Sequence, residues 1–220
     1  MKILELFAGS CTFSLEAKKL GYETFTSDNQ NLKDVDYVTD ILDFDVAKIP
    51  FEPDLIWASP PCTAFSVLRI GENWHYDNTP KTPKACIGMA YVLKTVEIIK
   101  ELKPKFWFIE NPRGKLRKLN IVKNLPRTTV WYCKYGDHRA KPTDIWSNHI
   151  YNPMFNPQGW KPRPQCENGN IKCHHDKSPA GCGTTGVQGM SNNYDRSIIP
   201  NELCIDVLTH TLKPTRNVRR

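Results

Sequence analysis

The sequence lacks any apolar stretch long enough to span a membrane. Its longest apolar runs, at residues 54–60 and 106–109, are far shorter than the roughly 20 residues that a membrane-spanning helix needs. The amino terminus also lacks the apolar core and the small-residue cleavage site of a secretory signal peptide. These absences argue against a membrane protein and against an exported one, and we expect a soluble, cytoplasmic protein.

The sequence also lacks internal repeats, low-complexity linkers and C-x-x-C pairs. Without an export signal, the eight cysteines are expected to stay reduced, as buried, catalytic or metal-binding thiols. A length of 220 residues suits one α/β domain with a small appendage.

Charge is unevenly distributed along the chain. Residues 1–60 contain five basic and eleven acidic residues, a net charge of −6, whereas residues 101–142 contain eleven basic and three acidic residues, a net charge of +8. The last eight positions add four more basic residues. This asymmetry favours a cofactor-binding core joined to a surface that contacts a polyanion, although a solvated basic face without a partner would have the same composition.

Short apolar runs alternate with helical patterns over much of the chain. Such alternation predicts a doubly wound, mostly parallel, Rossmann-like α/β sheet. We predict strands at residues 3–7, 22–26, 37–38, 54–58 and 106–109, and helices at residues 13–20, 85–102 and 196–208. We divide the chain into a main domain (residues 1–146), a small irregular insertion (147–195) and a returning helix with a basic tail (196–220).

Chemically active residues follow the predicted strands. Asp28, Asp40, Cys62 and Glu110 each lie at or just beyond a strand end. Ligands of a doubly wound sheet bind in the crevice at the carboxyl ends of its strands. We therefore expect these four side chains to face one crevice.

Two of the strand-end loops have the composition of a ligand site. In Phe7-Ala8-Gly9-Ser10, glycine lets the backbone approach a cofactor, although the G-x-G-x-x-G pattern is absent. In Ser59-Pro60-Pro61-Cys62, two prolines restrict the loop and give the thiol a fixed direction. Such a thiol and the Glu110 carboxylate could form a nucleophile and proton-transfer pair, whereas Cys62 alone could equally be a buried structural thiol.

In their order along the chain, these motifs resemble the cytosine-5 DNA methyltransferase family. The likeness is strongest to compact members found in phage genomes, and it covers residues 1–146 and resumes near residues 196–208. It rests on Leu6-Phe7-Ala8-Gly9, Asp28, Asp40-Ile41, Ser59-Pro60-Pro61-Cys62-Thr63-Ala64-Phe65-Ser66 and Glu110-Asn111-Pro112.

The resemblance implies that S-adenosylmethionine is the cofactor and that the substrate is a cytosine flipped out of duplex DNA. Cys62 would add to C6 of the base, and Glu110 would assist at N3. Arg139, in Asp137-His138-Arg139-Ala140-Lys141, would match an arginine that the family places near the cytosine. The cofactor would be bound by Phe7, Gly9, Asp28, Asp40, Ile41 and Pro61. The enzyme is expected to be a monomer that acts in the cytoplasm, the host cytoplasm if a phage encodes it.

The insertion at residues 147–195 is much smaller than the target-recognition domain of most family members. It contains five possible metal ligands within seventeen residues, Cys166, Cys173, His174, His175 and Cys182. Zinc could staple a segment that is too small to have its own core. We predict Cys166, Cys173, His174 and Cys182 as the ligands, with free thiols and surface histidines as the alternative, because the spacing matches no named zinc finger.

Two other functions fit the same motifs. A catalytically silent DNA-binding protein on a methyltransferase scaffold would bind DNA with a steep salt dependence and transfer no methyl group. A tRNA cytosine-C5 methyltransferase would apply the same chemistry to a different nucleic acid. Comparing methyl transfer to duplex DNA and to tRNA distinguishes these functions from DNA methylation.

Overall fold

The computed structural model describes residues 1–166 and 193–211. Its centre is a seven-stranded sheet in the order β3-β2-β1-β4-β5-β7-β6. Strands β1 to β5 run parallel, whereas β7 is antiparallel to both of its neighbours. This topology confirms the predicted mostly parallel, Rossmann-like sheet. The strands are β1 (Lys2–Leu6), β2 (Glu23–Asp28), β3 (Tyr37–Val38), β4 (Leu55–Ala58), β5 (Phe106–Pro112), β6 (Arg127–Trp131) and β7 (Pro142–Ser147).

Five helices accompany the sheet within the described residues: α1 (Thr12–Lys19), α2 (Ile70–Asn73), α3 (Pro83–Leu102), α4 (Asn193–Ser197) and α5 (Asn201–Thr211). The longest, α3, begins where its sequence specifies a start, because the Thr82 hydroxyl accepts from the Ala85 amide and proline occupies the first helical position. The helix ends at Leu102, and the next residue, Lys103, adopts a left-handed conformation.

The sheet is covered on both faces by apolar clusters. On one face, residues such as Leu4, Ile56 and Ile109 pack with Val92 and Ile98 of α3. On the other face, residues from α1 and α5 pack against the strands, and Phe13 stacks on Trp57 with ring centroids 4.4 Å apart. Each large apolar side chain buried in this way contributes roughly 1.5–3 kcal/mol of transfer free energy. The strand ends are thereby fixed for the loops that follow them.

Several elements differ from the sequence predictions, and α2 was not among the predicted helices. The single helix predicted at residues 196–208 is interrupted, since α4 ends at Ser197 and α5 begins at Asn201, after Pro200. Strands β6 and β7 were not predicted, because their sequences RTTVW and PTDIWS are largely polar. Most of β7 is nevertheless buried, including Asp144.

The described part of the predicted insertion packs on the main domain. Trp160 is fully buried, donates to Asp206 of α5 at 2.8 Å and meets the Phe108 ring edge-on. Residues 167–192 lie outside the described residues, so the proposed domain boundaries stay a prediction. Within residues 1–166 and 193–211, no helix has both the length and the apolar character needed to cross a membrane.

Candidate active site

Cys62 and Glu110 lie at the carboxyl ends of neighbouring strands. Ala58, the last residue of β4, pairs in register with Ile109 of β5, immediately before Glu110. The side-chain amide of Asn111 donates to the Pro60 carbonyl oxygen at 2.8 Å, and this bond ties the loop before Cys62 to β5. A second tie runs from the Lys115 amide to the Phe65 carbonyl at 2.9 Å. Together these bonds hold the cysteine loop against the strand that carries the glutamate.

Gly114 allows the second tie to form. A Cβ atom at this position would collide with the Phe65 carbonyl oxygen, so only glycine permits the two loops to approach so closely.

Glu110 is buried, with 5% of its surface exposed. Its Oε1 accepts a hydrogen bond from the Tyr132 hydroxyl at 2.8 Å. Burial raises the pKa of the Glu110 carboxyl, while Lys141 and the Tyr132 hydrogen bond partly oppose that rise. The carboxyl group therefore stays protonated to a higher pH than an exposed glutamate does, and a protonated carboxyl group can donate a proton.

Lys141 is a buried cation in the same site. Its ammonium donates to the Arg196 carbonyl at 2.9 Å and lies 4.5 Å from the centroid of the Tyr132 ring. Burial lowers the pKa of Lys141, and the nearby Glu110 and Cys62 raise it in part. Lys141 is thus the buried positive charge that acts on both predicted catalytic groups.

Burial raises the pKa of the partly exposed Cys62 thiol. Lys141 lowers that pKa, whereas Glu110 in its ionised form raises it. A thiolate at position 62 is therefore favoured when Glu110 is neutral and Lys141 is charged.

Arg139 is also buried, but its guanidinium is already engaged. It pairs with the Asp137 carboxylate and donates to three backbone carbonyls, those of Asp195, Arg196 and Ile198. Its guanidinium carbon lies 5.5 Å from the Tyr132 ring centroid. These contacts hold Arg139 beside the Tyr132 ring. They also anchor the chain around α4 to the site.

The loop after β1, the predicted cofactor cradle, has an unusual backbone conformation. Phe7 and Gly9 both have positive φ, at 56° and 50°. The Gly9 amide donates to Oδ2 of Asp28 at 2.9 Å, and the Gln30 amide donates to its Oδ1 at 2.9 Å. The Asp28 carboxylate, only partly buried, is therefore fixed beside the glycine.

Asp40 lies at the end of β3 and faces α3. Its Oδ1 accepts from the Leu42 amide at 2.9 Å, and its Oδ2 accepts from the Tyr91 hydroxyl at 3.0 Å. The Tyr91 ring is 6.0 Å from the Phe7 ring. Ile41 is buried beside Asp40. An open cavity of about 260 Å³ adjoins this region, and Pro61, Thr63, Ala64, Lys84, Ile87, Gly88 and Tyr91 line it.

Comparison with known proteins identifies the family to which the chain belongs. Residues 1–125, more than half of the chain, match the model of the C-5 cytosine-specific DNA methylase family. The chain belongs to this family. The matched region contains β1 to β5, and with them Cys62, Glu110 and the cofactor cradle of this family member.

Two named relatives support the assignment. A Frog virus 3 protein named as a DNA (cytosine-5)-methyltransferase is 35% identical over 156 residues, which is 67% of this chain and 71% of the viral protein. The type II methyltransferase M.HpaII of Haemophilus parainfluenzae is 28% identical over 134 residues, covering 59% of this chain and 34% of M.HpaII.

Solved structures resemble the methylase more loosely. A prophage-encoded Escherichia coli protein described as a DNA modification methyltransferase aligns with a TM-score of 0.47 and 16% identity, over 67% of this chain and 46% of that one. The Dnmt2 methyltransferase of S. pombe aligns with a TM-score of 0.46 and 14% identity, over 67% of this chain and 48% of that one.

Two residues of the methylase site were missed in the sequence. Tyr132 lies in no motif, and only the fold brings its hydroxyl to Glu110. Lys141 was not predicted, although it lies two residues after Arg139 in the segment that resembles the family's arginine motif, and that position was the signal that could have identified it.

The predicted zinc site gains no support from the described residues of the methylase. In the described parts of the chain, no group of three or more metal-ligating side chains converges. Cys166 is buried with Trp131, Cys133 and Ala140. Cys173, His174 and Cys182 lie outside the described residues.

Proposed function

We propose that this methylase transfers a methyl group from S-adenosylmethionine to C5 of cytosine in DNA, with Cys62 as the nucleophile and Glu110 as the proton donor at N3. One observation carries the proposal: a partly exposed thiol and a buried carboxyl group lie close to the carboxyl ends of neighbouring strands, and the Asn111 side chain ties the cysteine loop to the strand of the glutamate. The ring of cytosine needs attack at C6 and protonation at N3 together, because C5 alone is a poor nucleophile.

The residues of the cradle fit S-adenosylmethionine. A Cβ atom at Gly9 would meet only the Phe7 carbonyl oxygen, at 4.0 Å, so open space lies beside this residue. Asp28 offers carboxylate oxygens for ribose hydroxyls, as acidic residues after the second strand do in nucleotide sites. Asp40 offers an acceptor for an adenine amino group, and Phe7, Ile41 and Pro61 offer apolar surface. When bound, the cofactor supplies the methyl group that C5 takes up as the methyl–sulfur bond breaks.

Cys62 and Glu110 act on the base in one coupled step. The Cys62 thiolate bonds to C6, and the proton of Glu110 passes to N3, so that the electron pair of the C5–C6 double bond becomes available at C5. After methylation, the C5 proton leaves to water and the C6–sulfur bond breaks, which restores the double bond. The thiolate returns to Cys62, and the N3 proton returns to Glu110.

Duplex DNA is the proposed substrate because the site needs an extruded base. Flipping costs a few kcal/mol, which contacts to the pocket and the phosphates offset. Exposed Arg113 and Lys118 follow β5 at the edge that carries Cys62, and residues 101–142 have a net charge of +8. Such cations bind phosphates and make the affinity dependent on salt. Arg139 supports this site by holding the chain around α4.

The test uses purified protein, labelled S-adenosylmethionine and duplex DNA with or without 5-fluorocytosine. We expect label at C5 of cytosine and a covalent complex with the fluorinated DNA, which Cys62→Ala does not form. DNA binding without label would indicate the silent binding protein instead. Label in tRNA but not in DNA would indicate the RNA enzyme. Trapping by the Cys62→Ala protein would refute the role of the thiol.

A further inference from the structure

Tyr132 contacts more of the site than any catalytic role assigned so far explains. It is the first residue after β6, and it is fully buried. Its hydroxyl donates to Oε1 of Glu110 at 2.8 Å. The Lys141 ammonium lies 4.5 Å from its ring centroid, and the Arg139 guanidinium lies 5.5 Å from it. One side chain therefore contacts the proton donor through its hydroxyl and both buried cations through its ring.

The direction of this hydrogen bond limits where the Glu110 proton can reside. A neutral carboxyl group carries one hydrogen, on one of its two oxygens. When the Tyr132 hydroxyl donates across this 2.8 Å contact, Oε1 is the acceptor and the carboxyl hydrogen lies on Oε2. A proton on Oε1 would reverse this bond, so that the phenol oxygen accepts and the phenol hydrogen needs another acceptor.

We infer that Tyr132 is a positioning residue that selects Oε2 of Glu110 as the oxygen that donates to N3 of cytosine. The inference rests on the proposed function and deepens it. The proton moves from Oε2 to N3 as the sulfur–C6 bond forms, and Glu110 is left as a carboxylate. At that moment the Tyr132 bond gains an ionised acceptor.

This change makes the contact useful for catalysis. A hydrogen bond to a carboxylate is roughly twice as strong as one between neutral groups, so Tyr132 stabilises Glu110 more after the proton has left than before. Interactions that strengthen along the reaction accelerate it, whereas equal stabilisation of both states does not. The ring contacts with Lys141 and Arg139 keep the hydroxyl in place without using its hydrogen.

Tyr132→Phe tests the inference, because it keeps the ring and removes only the hydroxyl. We expect methylation of duplex DNA to slow about 10- to 100-fold, with the KM for S-adenosylmethionine unchanged. In a Glu110→Gln background, which has no carboxyl proton to transfer, Tyr132→Phe should have no further effect. An unchanged rate, or an equal loss in both backgrounds, would overturn the inference.

A pH profile gives a readout that a merely structural role would not move. The Tyr132 bond lowers the pKa of Glu110, so Tyr132→Phe should shift the high-pH limb of activity to higher pH. The charged or titratable groups that act on Glu110 or share its site are Tyr132, Lys141, Asp144, Arg139 and Cys62. These are unchanged in the comparison apart from the deleted hydroxyl. A limb that does not move would count against the role.

Tyr135→Phe is the matched control. Tyr135 is a buried tyrosine on the same turn, but its hydroxyl contacts Asp206 and the Arg163 amide instead of Glu110. The Tyr135→Phe variant should leave the high-pH limb of the activity profile unchanged. If Tyr132→Phe does not fold, 3-fluorotyrosine at position 132 keeps the bond with a more acidic phenol and should move the limb to lower pH.

The two proposals fail in distinguishable ways. If the wild-type protein methylates DNA and is trapped through Cys62 while Tyr132→Phe equals it, only the positioning role is lost. If the wild-type protein neither methylates nor is trapped, the proposed function is lost with it.

Discussion

The two halves of the strand-end crevice are built differently. On the proposed cofactor side, Asp28 and Asp40 are partly exposed; their carboxylates accept from the Gly9 and Leu42 amides, and Asp40 also accepts from the Tyr91 hydroxyl. On the base side, Glu110, Arg139 and Lys141 are buried and contact residues far away in the chain. A partly exposed carboxylate can change with little cost to folding, whereas a buried network cannot. We therefore expect substitutions to separate binding from stability on the first side and to couple function with stability on the second.

Cys62→Ala should produce the largest effect. Loss of the nucleophile should reduce methyl transfer by at least about 10⁴-fold, while S-adenosylmethionine binding, measured by calorimetry, stays within about twofold because the cofactor side is untouched. Cys86→Ala, which removes an exposed thiol on α3, is the control and should retain full activity. Loss of cofactor binding in Cys62→Ala would show that the two sides are not independent.

Asp144→Ala tests the stability of the base side. The buried Asp144 carboxylate accepts from Arg117 at 2.8 Å, Arg127 at 3.1 Å and Thr129 at 2.7 Å. Its removal should lower the free energy of unfolding by about 3 kcal/mol, toward the low end for buried ion pairs because both arginines are partly exposed. Urea denaturation measures the loss. The exposed Asp45→Ala, which deletes one amide contact, should cost about 1 kcal/mol or less.

Glu5 is the exception on the cofactor side, because it is buried beneath the cradle. Its Oε2 accepts from the Ser14 amide at 2.8 Å, and burial raises its pKa to about 7. The folded protein therefore favours the neutral form. The stability that depends on this form is complete below pH 4.5 and is lost as the pH rises from about 4.5 to about 7.

Denaturation of the wild type and of Glu5→Gln across this range should reveal the effect. Their difference in unfolding free energy should change by about 3 kcal/mol between pH 4.5 and pH 7.5, in favour of the glutamine variant at the higher pH. A constant difference would mean that Glu5 ionises in the folded protein as freely as in the unfolded chain.

Asp28→Ala should affect binding far more than folding. Loss of the carboxylate should raise the KM for S-adenosylmethionine about 10- to 100-fold, with a change of about 1 kcal/mol in unfolding free energy. Asp54→Ala is a suitable control, because Asp54 also accepts from a backbone amide, that of Lys2, but at the opposite edge of the sheet. An unchanged KM would remove Asp28 from the cofactor site.

Tyr91→Phe should have the smallest effect. It deletes the hydroxyl that donates to Asp40 and keeps the ring beside Phe7. We expect the KM for S-adenosylmethionine to rise about two- to fivefold, as the loss of one partly exposed hydrogen bond predicts. Steady-state kinetics at saturating DNA measure it, and a kcat that falls while KM is constant would place Tyr91 on the base side instead.

The contrast between the two sides also explains what could be predicted from the sequence. Strands β1, β4 and β5 were predicted because their sequences are largely apolar, and Cys62 and Glu110 lie close to two of these runs. Strands β6 and β7 were missed because Asp144 is buried among arginines, and a polar residue there suggests a loop. Their identity as strands depends on charge pairing between residues distant in sequence.

The same physics applies to the site residues. Cys62 was predicted from its own neighbours, two prolines and a strand. Tyr132 and Lys141 could not be predicted in this way, because their roles depend on a hydroxyl that bonds to Glu110 and an ammonium that lies on the Tyr132 ring, and these groups come together only after β6 and β7 have paired. The helix predicted at residues 196–208 was wrong at its start, since the Arg196 and Ile198 carbonyls bind Arg139 and Lys141 and Pro200 separates α4 from α5.

Those carbonyl contacts have a consequence for synthesis on the ribosome. Arg139 and Lys141 obtain their backbone acceptors from Asp195, Arg196 and Ile198, which are translated more than 50 residues later. At roughly 5–20 residues per second, the interval is roughly 3–11 s. During that interval the Arg139 guanidinium and the Lys141 ammonium lack these backbone acceptors. A newly made molecule can therefore complete its base side only after residues 195–198 have been translated.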